Sequence, residues 1–134
     1  MLPGEHLAAI LRTNWLVPVI AIEDASAAVP LAQALVAGGV TALEVTLRTA
    51  VAADAIRQIV QQVPQATVGV GTIRSAEDVR RAVDLGAKFG VSPGTTPEIY
   101  AACAAANLAL LPGAATASEM LLALEHGYDI VKFF

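Results

Sequence analysis

Val40-Thr41-Ala42-Leu43-Glu44-Val45-Thr46-Leu47 follows directly on Gly38-Gly39 and is aliphatic except for one carboxylate and two threonines. A β-branched, apolar run bounded by glycines reads as a strand entered from the end of a helix. Runs of the same kind begin near Leu16 (LVPVIAI), Ala66 (ATVGVGT), Ala87 (AKFGVS), Leu108 (LALLPG) and Asp129 (DIVKFF), and successive starts lie 21 to 26 residues apart. Each interval holds one helical pattern. Strand, helix, strand at this spacing is the repeat of a parallel α/β sheet.

The helix punctuation agrees. Thr96 before Pro97 has the form of an N-cap with proline at the first helical position. Ser75 with Asp78, and Thr116 with Glu119, have the capping-box spacing. Gly38-Gly39, Gly86 and Gly127 fall where helices should stop. A further helix is expected over residues 5–13, ahead of the first strand. The whole is expected to be one domain over residues 1–134: an N-terminal helix, five βα units and a sixth strand. Two architectures share this repeat, a doubly wound open sheet and a (β/α)8 barrel. The length favours the open sheet, because barrels take about 250 residues. The end of the sequence, a strand with no helix behind it, also fits a barrel cut short.

Composition narrows the function. The chain is 56% hydrophobic, 15% charged and only 4% aromatic, so its core must be built from Ala, Val, Leu and Ile. That excludes disorder and suits helices packed on an aliphatic sheet. Net charge is −4 and the only adjacent cations are Arg80 and Arg81, which argues against a nucleic-acid surface. An anionic substrate would need a few cations gathered locally. Mean hydropathy is positive, +0.64. The two long uncharged stretches, 25–43 and 99–118, are broken by Pro30 and Gly38-Gly39, and by Pro112 and Gly113, so neither reads as a membrane span. With no signal-peptide pattern, a cytoplasmic protein is expected. Cys103 is the single cysteine, set in an alanine-rich helical run, and reads as a small buried helix residue. His6 and His126 have no ligand-like spacing, so no metal site is expected.

Chemistry enters on two strands. Side chains two apart share a strand face, so Glu44, Thr46 and Arg48 lie together. A carboxylate and a guanidinium within an aliphatic strand are costly unless paired or used. A purely structural Glu44–Arg48 ion pair is one reading. On the last strand Lys132 stands between Val131 and Phe133. Desolvation disfavours an ammonium group and exposes the lone pair that attacks a carbonyl. A lysine whose tip merely reaches water is the other reading. Lys88 is the only other lysine, and it precedes Phe89 at the start of the fourth strand, away from the C-terminal strand ends where parallel α/β sites form. Thr72 closes the third strand after Gly69-Val70-Gly71, where glycines permit close approach and the hydroxyl can meet an anion. This is no dinucleotide fingerprint, because Arg74 stands where glycine is required. Ser92-Pro93-Gly94 and Leu111-Pro112-Gly113 read as turns.

The string Leu43-Glu44-Val45-Thr46-Leu47-Arg48-Thr49, then Val70-Gly71-Thr72, Ser92-Pro93-Gly94, Pro112-Gly113 and Val131-Lys132-Phe133-Phe134 resembles, in order and spacing, the 2-keto-3-deoxy-6-phosphogluconate (KDPG) aldolases and the related 4-hydroxy-2-oxoglutarate (KHG) aldolases. The resemblance runs from about Leu16 onward. It implies a (β/α)8 TIM barrel, usually a homotrimer, that works without a cofactor or metal. It implies a class I aldolase with Lys132 as Schiff-base lysine and Glu44 as general acid/base. It further implies that Arg48 and Thr72 hold the carboxylate of a 2-keto acid, the pyruvate moiety, and that Pro93 and Phe134 wall the pocket. The family continues for about three more βα units, so the chain is expected to be truncated after the sixth strand, a fragment or a piece completed by a partner chain. The phosphate contacts would lie in that further part. A non-catalytic module on the same scaffold, and a sugar-phosphate barrel of other chemistry such as an epimerase, are the alternatives.

Overall fold

The structure, a computed structural model, describes residues 3–134. Met1 and Leu2, which the single-domain expectation includes, lie outside the described residues. The order is α1 (Pro3–Arg12), β1 (Val19–Ile20), a 3-10 turn (Ala25–Ala27) running into α2 (Ala28–Ala37), β2 (Ala42–Thr46), α3 (Ala52–Gln62), β3 (Thr67–Gly71), α4 (Ala76–Asp84), β4 (Phe89–Val91), α5 (Pro97–Ala106), β5 (Ala109–Leu111), β6 (Gly113–Ala114), α6 (Ala117–Glu125) and β7 (Lys132–Phe133). Every apolar run noted above contains a strand. The run at Leu108 contains two. Pro112 has no N–H for a ladder bond, and the strand changes partner there. β5 pairs with β4, while β6 pairs with β7.

All pairings are parallel, and the main sheet runs β1-β2-β3-β4-β5. Each strand lies beside its predecessor in sequence, and the order never reverses. A doubly wound sheet has a reversal, the switch point at which it binds ligands. One-way winding is the path of a barrel wall, so strand order decides between the two architectures that the spacing left open.

Strand parity sorts the side chains into two layers. Leu43, Val45, Val68, Val70 and Leu110 point outward and pack with Ala55, Ile56, Ile59, Val79, Ala82 and Ile99 of the helices. Ala42, Phe89, Val91 and Ala109 point inward and pack with Leu7 of α1. The helix α1 therefore closes the floor of the inner layer. It begins and ends slightly earlier than the pattern over 5–13 indicates. The inner layer is tight: a Cβ on Gly69 would stand 2.2 Å from the Phe89 ring.

The helix ends follow the sequence signals. Gly39, Gly86 and Gly127 have φ of 88°, 84° and 84°, the left-handed conformation that glycine adopts freely. α5 ends without glycine, on Asn107 at φ 51°. Asparagine is the other residue that tolerates this region, and Asn107 is one of the residues that break the uncharged stretch 99–118 in the sequence. Among the described residues, no helix is long and apolar enough to cross a membrane.

Candidate active site

The C-terminal ends of β2, β3, β4 and β7 meet in an open cleft of about 170 Å³ lined by Glu44, Arg48, Thr72, Val91, Pro93, Lys132 and Phe134. All six residues singled out in the sequence line it. Among them Glu44 and Lys132 are 88 positions apart in sequence.

At its centre Lys132 Nζ donates to Glu44 Oε2 at 3.2 Å. The Glu44 side chain is 4% exposed and that of Lys132 is 24% exposed. An almost dry carboxylate thus faces a lysine still open to the cleft. Removing either partner would leave a charge uncompensated in a largely desolvated place. Lys132 Nζ also stands 5.2 Å from the centroid of the Phe134 ring, within the range of a cation–π contact.

Glu44 does not pair with Arg48. The exposed Arg48 lies beyond β2, in the turn that follows Thr46, and its Nε donates to Thr72 Oγ1 at 3.1 Å. Thr46, on the same strand face as Glu44, is buried, and its hydroxyl donates to the Ile20 carbonyl instead of facing the cleft. Thr72 is not the last residue of β3 but the first beyond it, with φ 66°. A β-branched residue there is a true outlier, and such strain collects at functional sites. With two cations and one carboxylate, the cleft carries a local positive balance on a chain of net charge −4. This is the local gathering of cations that an anionic substrate needs.

The glycines of β3 act differently from the close backbone approach read from the sequence. They make room for side chains. A Cβ on Gly71 would lie 2.3 Å from Glu44 Oε1. The wall residue Val91 was not singled out either, although strand parity places it with Pro93. The turn Ser92-Pro93-Gly94 is held from below. Buried Ser92 Oγ lies 2.6 Å from Thr95 Oγ1 and accepts from Gly113 N, while Thr95 Oγ1 donates to the Gly113 carbonyl. Gly113 is in turn the register partner of Lys132.

Residues set aside in the sequence lie elsewhere. Cys103 is buried in the outer core, and burial pushes its thiol up to about 12, which makes it inert at neutral pH. His126 caps α6 and stacks on Tyr100, centroids 4.3 Å apart. Lys88 starts the far end of β4, where its N–H donates to the Val68 carbonyl.

One-way winding with a lysine–carboxylate pair at the C-terminal strand ends puts the chain in a class, the barrel-wound parallel α/β proteins that build their sites at that end. Within it, the chain belongs to the KDPG and KHG aldolase family, whose model matches residues 7–134. It is 45% identical over 126 residues to the KHG/KDPG aldolase of Escherichia coli strain K12, covering 94% of this chain and 59% of that protein. It superposes with a TM-score of 0.93 on the KDPG aldolase of Zymomonas mobilis ZM4, solved with 3-phosphoglycerate, at 44% identity over 98% of this chain and 62% of that one. The KDPG aldolase of Legionella pneumophila, solved with pyruvate captured as a covalent carbinolamine, matches with a TM-score of 0.89 and 39% identity, over 100% of this chain and 63% of that one. The chain thus spans about three-fifths of the length of these relatives.

Proposed function

We propose that Lys132 forms a Schiff base with a 2-keto acid, and that this chain carries the imine-forming site of a class I aldolase. The reaction is cleavage of KDPG to pyruvate and glyceraldehyde 3-phosphate, with KHG, which yields pyruvate and glyoxylate, as a second substrate. The observation that carries the reading is the 3.2 Å contact between Lys132 Nζ and Glu44 Oε2, in a cleft that also presents Arg48 and Thr72. The carbinolamine held by the Legionella relative is an intermediate of this chemistry.

The geometry supports a complete proton cycle. Transfer of one proton from Nζ to Oε2 turns the ion pair into a neutral amine beside a carboxylic acid. The amine adds to the C2 ketone of a substrate whose carboxylate lies on Arg48 and Thr72. Glu44 returns its proton to the C2 oxygen, which leaves as water, and a cationic imine remains. The Glu44 carboxylate then accepts the C4 hydroxyl proton. The C3–C4 bond breaks, its electron pair forming an enamine with the imine as sink, and the aldehyde departs. Reprotonation of C3 and hydrolysis release pyruvate and regenerate Lys132. Pro93 and Phe134 bound the space around the reacting carbons.

A cytoplasmic location and a homotrimer belong to the same proposal. Exposed apolar side chains such as Trp15, Leu121 and Phe133 provide surface that association would cover. The test is incubation with pyruvate and borohydride, followed by mass spectrometry. An adduct on Lys132 that disappears in Lys132→Ala supports the reading. Labelling that persists in that variant would move the nucleophile to Lys88. A folded chain with no adduct would favour a non-catalytic module on the aldolase scaffold.

A further inference from the structure

We infer that Gly71 is a positioning residue whose missing side chain is the seat of the Glu44 carboxylate. Glu44 and Gly71 lie on neighbouring parallel strands and on the same inner face, with Glu44 in register with Gly69 and Thr46 with Gly71. Side chains lean along their strand, so Glu44 reaches over the position two residues ahead on β3. A Cβ on residue 71 would stand 2.3 Å from Glu44 Oε1, 2.9 Å from its Cγ and 3.0 Å from its Cδ. One carboxylate oxygen therefore fills the space that any other residue would occupy, while the other oxygen meets Lys132.

The glycine is there for space and not for backbone freedom. Its φ is not among the positive values, which belong to Gly39, Gly86 and Gly127. An alanine fits the extended backbone at this position without strain. What alanine cannot do is share the volume with Glu44. The Glu44 side chain is only 4% exposed, so the carboxyl group can yield only by leaving this seat, which takes it from the position in which Oε2 meets Nζ. Gly71→Ala should therefore act as a lesion in Glu44 although it changes neither a charge nor a hydrogen-bonding group.

This inference rests on the proposed imine chemistry for its kinetic arm only. The first arm needs no activity. Wild type, Gly71→Ala, Glu44→Gln and the double variant are acetylated with limiting acetic anhydride at neutral pH, and the ratio of modification at Lys132 to that at Lys88 is read by mass spectrometry. Lys88 is the internal reference, because these are the only two lysines. Loss of the carboxylate frees the amine, so Glu44→Gln should raise the ratio about tenfold. Gly71→Ala should raise it to a similar level, and the double variant should add nothing. A ratio in Gly71→Ala equal to that of wild type, with thermal unfolding showing both folded, overturns the inference. So does an increase in the double variant equal to the sum of the two single effects.

The second arm follows exchange of pyruvate methyl protons into deuterium oxide. Gly71→Ala should slow exchange about 10²-fold or more in the wild-type background, as loss of a general acid–base group does. It should change the rate by less than about threefold in the Glu44→Gln background, because effects on one unit are non-additive. Equal losses in both backgrounds would make Gly71 merely structural and overturn the inference. Absence of exchange and of borohydride trapping in the wild type would defeat the proposed function, and the acetylation ratio would still decide the role of Gly71.

Discussion

Thr72 sits at φ 66°, where a left-handed conformation costs an L-residue with a branched Cβ about 1–2 kcal/mol. Its hydroxyl accepts from Arg48 Nε. Strain kept beside a pocket is explained if the conformation aims that hydroxyl at the ligand. Glycine at this position would lose the strain and the hydroxyl together, and would add about 0.5–1 kcal/mol of chain entropy to the cost of folding. Thr72→Gly is thus expected to leave unfolding free energy unchanged or raise it by up to about 1 kcal/mol, and to weaken pyruvate binding about tenfold. Denaturant titration and trapping at graded pyruvate concentrations read the two effects. A variant that loses stability and keeps its affinity would refute the assignment of strain to function. Residues of this kind divide by how legible they are. Lys132 and Glu44 stood out because a charge in an aliphatic strand contradicts its surroundings. Val91 did not, since an aliphatic residue contradicts nothing, and Gly71 drew notice only as a place for close backbone approach. Their roles exist only in the space between strands.

At the scale of the element, α6 shows what local sequence determines. Thr116 and Glu119 form a full capping box: Glu119 N donates to Thr116 Oγ1, while Glu119 Oε2 accepts from the N–H groups of Ala115 and Thr116. Those backbone donors hold the Glu119 carboxyl below its ordinary value of 4.5, with the Thr116 hydroxyl adding to them. The folded state thus prefers the ionised form. The stabilisation is full above the unfolded value of 4.5 and is lost as pH falls through the lower, folded value. Glu119→Gln should lower the thermal midpoint at neutral pH, and the gap to wild type should close as the pH is taken below that window. A gap that widens on acidification would mean that the box is held by something other than the ionised carboxylate. Ser75 forms only half of such a box. Its Oγ accepts from Asp78 N, but Asp78 Oδ2 accepts from the N–H of Arg74 and not from the cap residue itself. Spacing alone cannot separate the two cases, because the difference lies in how the preceding turn enters the helix.

For the whole molecule, the spacing of strands and helices fixed the parallel repeat but not the winding. Open and closed sheets place the same turns at the same intervals, and only strand order tells them apart. That order depends on what fills the inner face. Here the inner strand positions are small, with Ala42, Gly69 and Ala109, and the bulk comes from Phe89 and from Leu7 on α1. The helix outside the repeat therefore supplies the floor on which the cleft is built. Leu7 is fully buried in this inner cluster, whereas Ile56 is fully buried in the outer one. Truncating either to alanine should lower the unfolding free energy by about 2–5 kcal/mol in urea titrations. The two should differ at the site. A cavity at Leu7 opens in the inner cluster that holds Phe89, whose ring occupies the space left by Gly69, the register partner of Glu44. Leu7→Ala should therefore also change the acetylation ratio of Lys132 to Lys88, while Ile56→Ala should leave it unchanged in the folded protein. If both variants move that ratio alike, or if Leu7→Ala costs less than about 1 kcal/mol, the inner layer is not the support of the site and α1 is only an appended helix.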